Sequence, residues 1–513
     1  MKRWKRVLAA FLSFLMVVTI LPALDITDSP VKTANAAAPA AYFSADDFGL
    51  CYTKVLLQQV GKAYGYGGGS ASGYTVGGKY YSGAAMRVTS ATPYSPLTVN
   101  STTLDCHGLV ITCLMAMGYD KFTDTKGHEY PLNAEYGGSI FNGQNKNSIF
   151  KYNGTGDVIT LHHSNDQTYT LKFKLGEVTN KSSLKKVNPG TLLFNLDEKA
   201  TIANGPFSAG AMPSIAHSAV ALFYLEREDK IDGAHINDGT YSVAAINAAL
   251  TASYDNAYAA LKKICTDADA NPNKNLKGFT DVFNSVFAKP TFSFNDNTIP
   301  KLWDARSRGF WNRTATTTNY KVGFWDGLAW KGFETPYDTV WQIEAIGHGV
   351  SINNNPYGKT TKIQLGVYME PTHESGTVKI TKKDDKTGTA LTGASFDLYE
   401  WSASKGQFVK SSLYHIAENP KTAGEYLVYD SNNQEKDIEF TAENCKTIKV
   451  VETKAPDGYQ GNWSEEHTFT GDGEVVPWEV TAFNPGIKIG VAAHKTGYNN
   501  TNLSGAKFTL YSN

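Results

Sequence analysis

Cysteine is scarce in this chain. Five occur in 513 residues, at Cys51, Cys106, Cys113, Cys265 and Cys445. An odd, scattered set of that size makes no disulfide framework and leaves at least one thiol unpaired within the chain. Strong charge of either sign is also missing. The formal net charge is -1, charged residues make up 19%, and no basic block occurs past the N-terminus. That balance weighs against nucleic acid as a main partner. Beyond the N-terminal segment no stretch is apolar enough to span a bilayer. The histidines lack metal-ligand spacing, so neither a metal nor a cofactor is expected. Glycine and tyrosine, at 46 and 28 residues, are abundant and point to strands and turns. The length suits two to four domains, and 41% hydrophobic residues can build their cores.

The N-terminus reads as a targeting segment. Lys2, Arg3, Lys5 and Arg6 precede a mostly apolar run from Val7 to Leu24, and Ala34-Asn35-Ala36 offers a small-x-small cleavage site. Residues 1–36 are therefore expected to be a signal peptide, with the membrane a partner only if that segment stays uncleaved. The expected location is secreted, at the cell wall or surface of a Gram-positive bacterium.

Chemistry is concentrated at Asp105-Cys106-His107-Gly108-Leu109-Val110. The apolar run through Met117 predicts a buried helix that Gly118 ends. Cys106 would open that helix, where free backbone N–H groups and the dipole favour a thiolate nucleophile. The same residue would serve equally as a small core side chain. A short helical stretch is expected at Val55–Val60, before a glycine-rich loop, Gly61 to Ser70, that contains Tyr64. Further on, Pro189-Gly190 marks a turn into a buried strand, and Ile215–Tyr224 reads as a strand with His217 near its start. An alanine-rich helix is expected from Ser242 to about Ile264. Residues 271–338 are loop-like and unusually aromatic. Val340–Ile346 reads as a strand carrying Glu344, with His348 just beyond it. In a nucleophilic reading, Cys106 attacks a carbonyl carbon and His217 is the base. Glu344, or His348 as runner-up, holds the far nitrogen of His217, and Tyr64 assists at the oxyanion.

This order resembles the NlpC-type cell-wall peptidases, a papain-like family. The likeness lies in Gly61-Lys62-Ala63-Tyr64-Gly65-Tyr66-Gly67-Gly68, the Asp105–Val110 motif, Pro189-Gly190-Thr191-Leu192 and Ala216-His217-Ser218-Ala219-Val220. It places Tyr64, Cys106, His217 and Glu344 on the family's active-site positions and implies an α+β papain-like domain over 37–368. Departures are His107, Thr191, Ala63 and Tyr66, together with insertions near 119–187 and 226–338. The resemblance implies cleavage of amide bonds in the peptide stems of peptidoglycan.

After a linker at 369–375 the pattern becomes all-β. Alternation puts Val378, Ile380 and Lys382 on one face of a strand; Ile448, Val450 and Glu452 on a second; and Val480, Ala482 and Asn484 on a third. A lone buried lysine is costly unless paired. A buried Lys beside Asn, with a carboxylate near both, is set to form an isopeptide crosslink. Residues 391–399 recur in pattern at 503–511, so 376–486 reads as one module and 487–513 as the start of a truncated second copy. The module resembles the SpaA-type (Cna-type B) prealbumin-like or Ig-like sandwiches of Gram-positive surface proteins and pilins. The matching stretches are Gly376–Asp384, Leu391–Phe396 and Glu452–Tyr459. On that family's pattern Lys382 and Asn484 are the bonded pair and Glu452 the catalyst. In the second copy Val491 falls where Lys382 sits.

Three functions compete on the sequence. The main expectation is a cell-wall cysteine peptidase or amidase displayed on β-stalk modules, with wall peptide as its partner. The second is a non-catalytic adhesin or pilin-like structural protein with a papain-like binding head, meeting surface or host proteins. The third is an acyl or glutamyl transferase using the same Cys-His pair.

Overall fold

The computed structural model describes residues 38–64, 74–76, 79–81, 91–104, 106–132, 156–176, 187–197, 215–226, 242–271, 276–286, 322–326, 338–345, 364–471, 473–487, 504, 505, 507 and 509. The leader, the glycine loop beyond Tyr64, Asp105, His348, Val491, most of the aromatic stretch and most of the second β copy lie outside the described residues.

Ser44 opens the first helix, α1 (Ala45–Leu57), by accepting the Asp47 backbone amide at 3.1 Å. Asp46 and Asp47 add negative charge at the positive end of the dipole. The helix is longer than the turn or two expected at Val55–Val60. Its first half looks unpromising because it carries two acids and Gly49, yet it buries Phe48, Cys51 and Tyr52. Gly49 is there for close approach: a Cβ would lie 2.2 Å from the Pro189 carbonyl oxygen. Gly190, at φ +90°, completes the contact, since its own Cβ would stand 2.9 Å from the Gly49 Cα. The Pro189-Gly190 turn thus seats α1 as well as starting a strand.

Four short strands follow: β1 (Ala63–Tyr64), β2 (Tyr74–Val76), β3 (Lys79–Tyr81) and β4 (Thr103–Leu104). The Cys106 segment then forms α2 (Cys106–Ala116) as expected, with Gly118 at φ +95° ending it. Next come β5 (Tyr119–Thr123), β6 (Glu129–Pro131), β7 (Val158–His163), β8 (Leu171–Gly176), β9 (Thr191–Asp197) and β10 (Ile215–Glu226). Helix α3 (Val243–Ala270) is capped by Ser242, as the alanine-rich pattern implies. Two elements occur among the described residues of the aromatic stretch, which its sequence suggests is loop-like. These are α4 (Phe279–Val286), which buries Phe279 and Phe283, and strand β11 (Val322–Asp326). Strands β12 (Asp338–Ala345) and β13 (Gln364–Pro371) complete the head.

Among the described residues, β5 to β13 form one sheet in the order β11-β12-β10-β9-β13-β8-β7-β5-β6. Helices α1 and α2 pack together, and α2 lies against β10 and β12. Phe48, Tyr52, Leu114, Phe173, Val220 and Trp341 share the resulting core. No helix among the described residues is long and apolar enough to cross a membrane.

The C-terminal module is a two-sheet sandwich. Its strands are β14 (Ser375–Asp384), β15 (Ser395–Ser402), β16 (Gln407–Lys410), β17 (Tyr414–Glu418), β18 (Glu425–Asp430), β19 (Ile438–Glu439), β20 (Thr447–Lys454), β21 (Ser464–Thr468) and β22 (Val475–Asn484). One sheet runs β17-β18-β14-β19, with β22 also paired to β14; the other runs β16-β15-β20-β21. β14 and β22 are parallel, in register from Ser375↔Val475 to Asp384↔Asn484. Burial alternates along β14 as the period of two demands, with Gly376, Val378, Ile380 and Lys382 inside. The segment 369–375, expected as a linker, holds little free chain. Met369 is fully buried in the head sheet, β13 ends at Pro371, and β14 begins at Ser375.

Candidate functional site

Three of the predicted site residues converge in the module interior. Lys382 lies near the end of β14, Glu452 near the end of β20 and Asn484 at the end of β22. Strand alternation turns each inward, and the parallel β14–β22 register brings Lys382 and Asn484 to the same end of the sandwich. Relative exposure is 0% for Lys382, 8% for Glu452 and 0% for Asn484. Lys382 Nζ stands 2.8 Å from Glu452 Oε1 and hydrogen-bonds to Asn484 Oδ1. Asn484 Nδ2 donates to the same Glu452 Oε1 at 2.8 Å. One carboxylate oxygen therefore touches both the Lys382 amine nitrogen and the Asn484 amide nitrogen.

The surroundings hold this arrangement. The other carboxylate oxygen, Oε2, accepts from the Trp463 backbone amide at 3.4 Å. The Phe396 ring lies 5.8 Å from Nζ and excludes water. Burial pushes the Lys382 amine below its usual range, against the opposing pull of Glu452, which favours the uncharged nucleophile. Alternation in the sequence turned these three side chains to the inner faces of their strands. The Trp463 amide left no sequence signal, because a backbone donor is independent of side-chain identity.

The head brings the other predicted residues together at the level of the backbone. Cys106 is the first residue of α2 and is partly exposed; the other four cysteines are buried, and all five thiols are free. Burial raises the thiols of Cys51 and Cys113 and pushes Cys265 up to about 12, so these three are inert. Tyr64 on β1 pairs in parallel with Leu104 on β4, two residues before Cys106. His217 on β10 pairs with Asn195 on β9, and Glu344 on β12 pairs with Gly323 on β11. The β10–β12 register at Val220↔Ile343 sets Glu344 two residues along from His217 on the neighbouring strand. The side chains of Tyr64, His217 and Glu344, and all of His348, lie outside the described residues.

Comparison with known proteins bears on the module. A family model described as SpaA, a prealbumin-like fold domain, matches residues 376–482. Similar solved structures include the shaft pilin SpaA of Lactobacillus rhamnosus GG, with 18% identity over 23% of this chain and 48% of that one, at a TM-score of 0.14. The minor pilin GBS52 of Streptococcus agalactiae gives 18% identity over 25% and 51%, at 0.16. Domains D2 and D3 of the major pilin SpaD of Corynebacterium diphtheriae give 20% over 30% and 66%, at 0.17. The chain thus spans about half the length of the shaft pilin it matches. No curated protein matches the chain. Residues 376–482 are a SpaA-type prealbumin-like domain.

Proposed function

We propose that this chain is a surface-displayed structural protein of the pilin or adhesin type, whose module at 375–484 locks itself with an isopeptide bond between Lys382 and Asn484. The observation that carries the reading is the shared Glu452 oxygen, 2.8 Å from the nucleophile and 2.8 Å from the leaving nitrogen. Nζ attacks Cγ of Asn484, the Nζ–Cγ bond forms and the Cγ–Nδ2 bond breaks. Of the three protons on Nζ, one stays in the new amide. One passes through Glu452 to Nδ2, which leaves as ammonia. The third remains on the Glu452 carboxyl. The reaction replaces a buried ion pair, costly to desolvate, with a neutral amide beside a neutral acid.

The bond's position suits a load-bearing stalk. Tension entering β14 at Ser375 reaches Lys382, crosses to Asn484 and leaves the module there, bypassing everything between. In single-molecule pulling, the crosslinked module adds no unfolding step. The Lys382→Ala module extends by roughly 300 Å as the enclosed chain pays out. An equal extension in both proteins counts against the stalk reading.

A second reading is favoured by the position of Cys106. A partly exposed free thiol opens α2, and α2 packs on β10 and β12, the strands of His217 and Glu344. In that reading the head is a papain-like cysteine amidase, peptidase or acyl transferase acting on wall peptides. His217 is its base, Glu344 or His348 orients that base, and Tyr64 serves the oxyanion.

A further inference from the structure

A carboxylate between the two domains has more partners than a connecting segment requires. Glu374 sits between β13 and β14, and its side chain is 13% exposed. From the head, Tyr42 donates its hydroxyl to Oε2 at 2.8 Å, and Lys172 Nζ lies 3.9 Å from Oε1. From the module, Lys446 Nζ binds the same Oε2. The Lys446 amine also stands 4.5 Å above the Tyr42 ring and 5.4 Å above Phe440, and those rings meet edge to face at 6.5 Å. Burial, with Glu374 adding to it, holds the Tyr42 hydroxyl well above its usual range, so it stays a donor.

The backbone that presents Lys446 is left-handed. Cys445 and Lys446 are consecutive non-glycine residues at φ 47° and 54°. Left-handed backbone is disfavoured for such residues because the Cβ crowds the following carbonyl oxygen. Strain of that kind persists where surrounding contacts impose it. Here it aims Lys446 across the domain boundary. The main chain ties down both sides of the connection: Thr372 N donates to Lys172 O of the head, and Phe440 N of the module donates to Glu374 O, each at 2.9 Å.

We infer that Tyr42, Glu374 and Lys446 form a latch that docks the head's N-terminal segment onto the module, making the two domains one rigid body rather than beads on a flexible string. The partner surface for the module loop 441–446 is therefore the head itself. A load passing out of β14 enters β13, which is held on both sides by β8 and β9. This docking does not depend on the crosslink, which sits at the far end of β14.

The test uses the full chain and a glutamyl endopeptidase. Lys446→Met keeps the side chain's length and its cover over Tyr42 but removes the charge; Glu374→Gln, which abolishes cleavage at that position, serves as the assignment control. Latched, the chain is cut after Glu374 slowly. Loss of one charge-assisted contact speeds that cut about tenfold in the Lys446→Met chain. Small-angle scattering of the same proteins shows the maximum dimension growing only in the variants. A wild-type chain cut after Glu374 as fast as after exposed glutamates, or a Lys446→Met chain with unchanged cleavage and dimension, overturns the latch. Neither result bears on the mass or stability of the module, so it leaves the crosslink intact.

Discussion

Lys382→Ala lowers the thermal midpoint of the module by roughly 20 °C or more. The figure comes from two effects. The bond between Lys382 and Asn484 closes a loop with a sequence separation of 102 residues. Chain entropy assigns a covalent closure of about 100 residues a contribution of about 4.7 kcal/mol. The same substitution leaves Glu452, a neutral acid facing the new amide in the wild type, buried without that partner, and a buried polar group left unsatisfied costs about 1–3 kcal/mol. In a domain of this size each kcal/mol moves the midpoint by about 4–8 °C. Asn484→Ala separates the two effects. It removes the crosslink but keeps Lys382 beside Glu452, so its loss is the smaller of the two. Calorimetry on both variants checks the order. Lys382→Ala melting with the wild type would contradict the account, and so would equal losses in the two variants.

The second large effect concerns the head. If Cys106 is a nucleophile, Cys106→Ala lowers amide cleavage or transfer on peptidoglycan stem peptides by about 10⁴-fold or more, since removal of such a residue leaves only binding and oxyanion contributions. Products are read by mass under mild reducing conditions, and a released amine is distinguished from a transferred acyl group by the acceptor it carries. The buried Cys113 is the control, because its thiol is raised by burial and is seven residues away at the interior of the same helix. Turnover surviving in Cys106→Ala removes the cysteine mechanism. Absence of product from both proteins across stem types assigns the head to binding, which is the pilin-like reading in its simplest form.

The module was legible in the sequence because strand periodicity is two. Inward and outward positions can be counted residue by residue, and the count turns Lys382, Glu452 and Asn484 inward, where the structure buries them. The structure adds that one oxygen serves both nitrogens, which alternation cannot express. The Cys106 helix was legible from its apolar run and its glycine stop. Helix α1 was not, because its acids serve the dipole and Gly49 serves a contact with Pro189, 140 positions later in the chain. Pro371 and its polar neighbours suggested a linker, whereas Met369 and Pro371 belong to the head sheet. Contacts such as Tyr42 with Glu374, at a sequence separation of 332, leave no local pattern at all.

A covalent bond between Lys382 and Asn484 is read from intact mass. The denatured wild-type chain is weighed beside Glu452→Gln, which keeps the shape of the carboxylate side chain but cannot shuttle the proton. After correction for the substitution itself, the wild type is lighter by one ammonia, and its digest contains a branched peptide joining Lys382 to Asn484. Glu452→Gln shows neither. A wild-type chain at its full sequence mass, with Lys382 and Asn484 in separate linear peptides, would contradict the account.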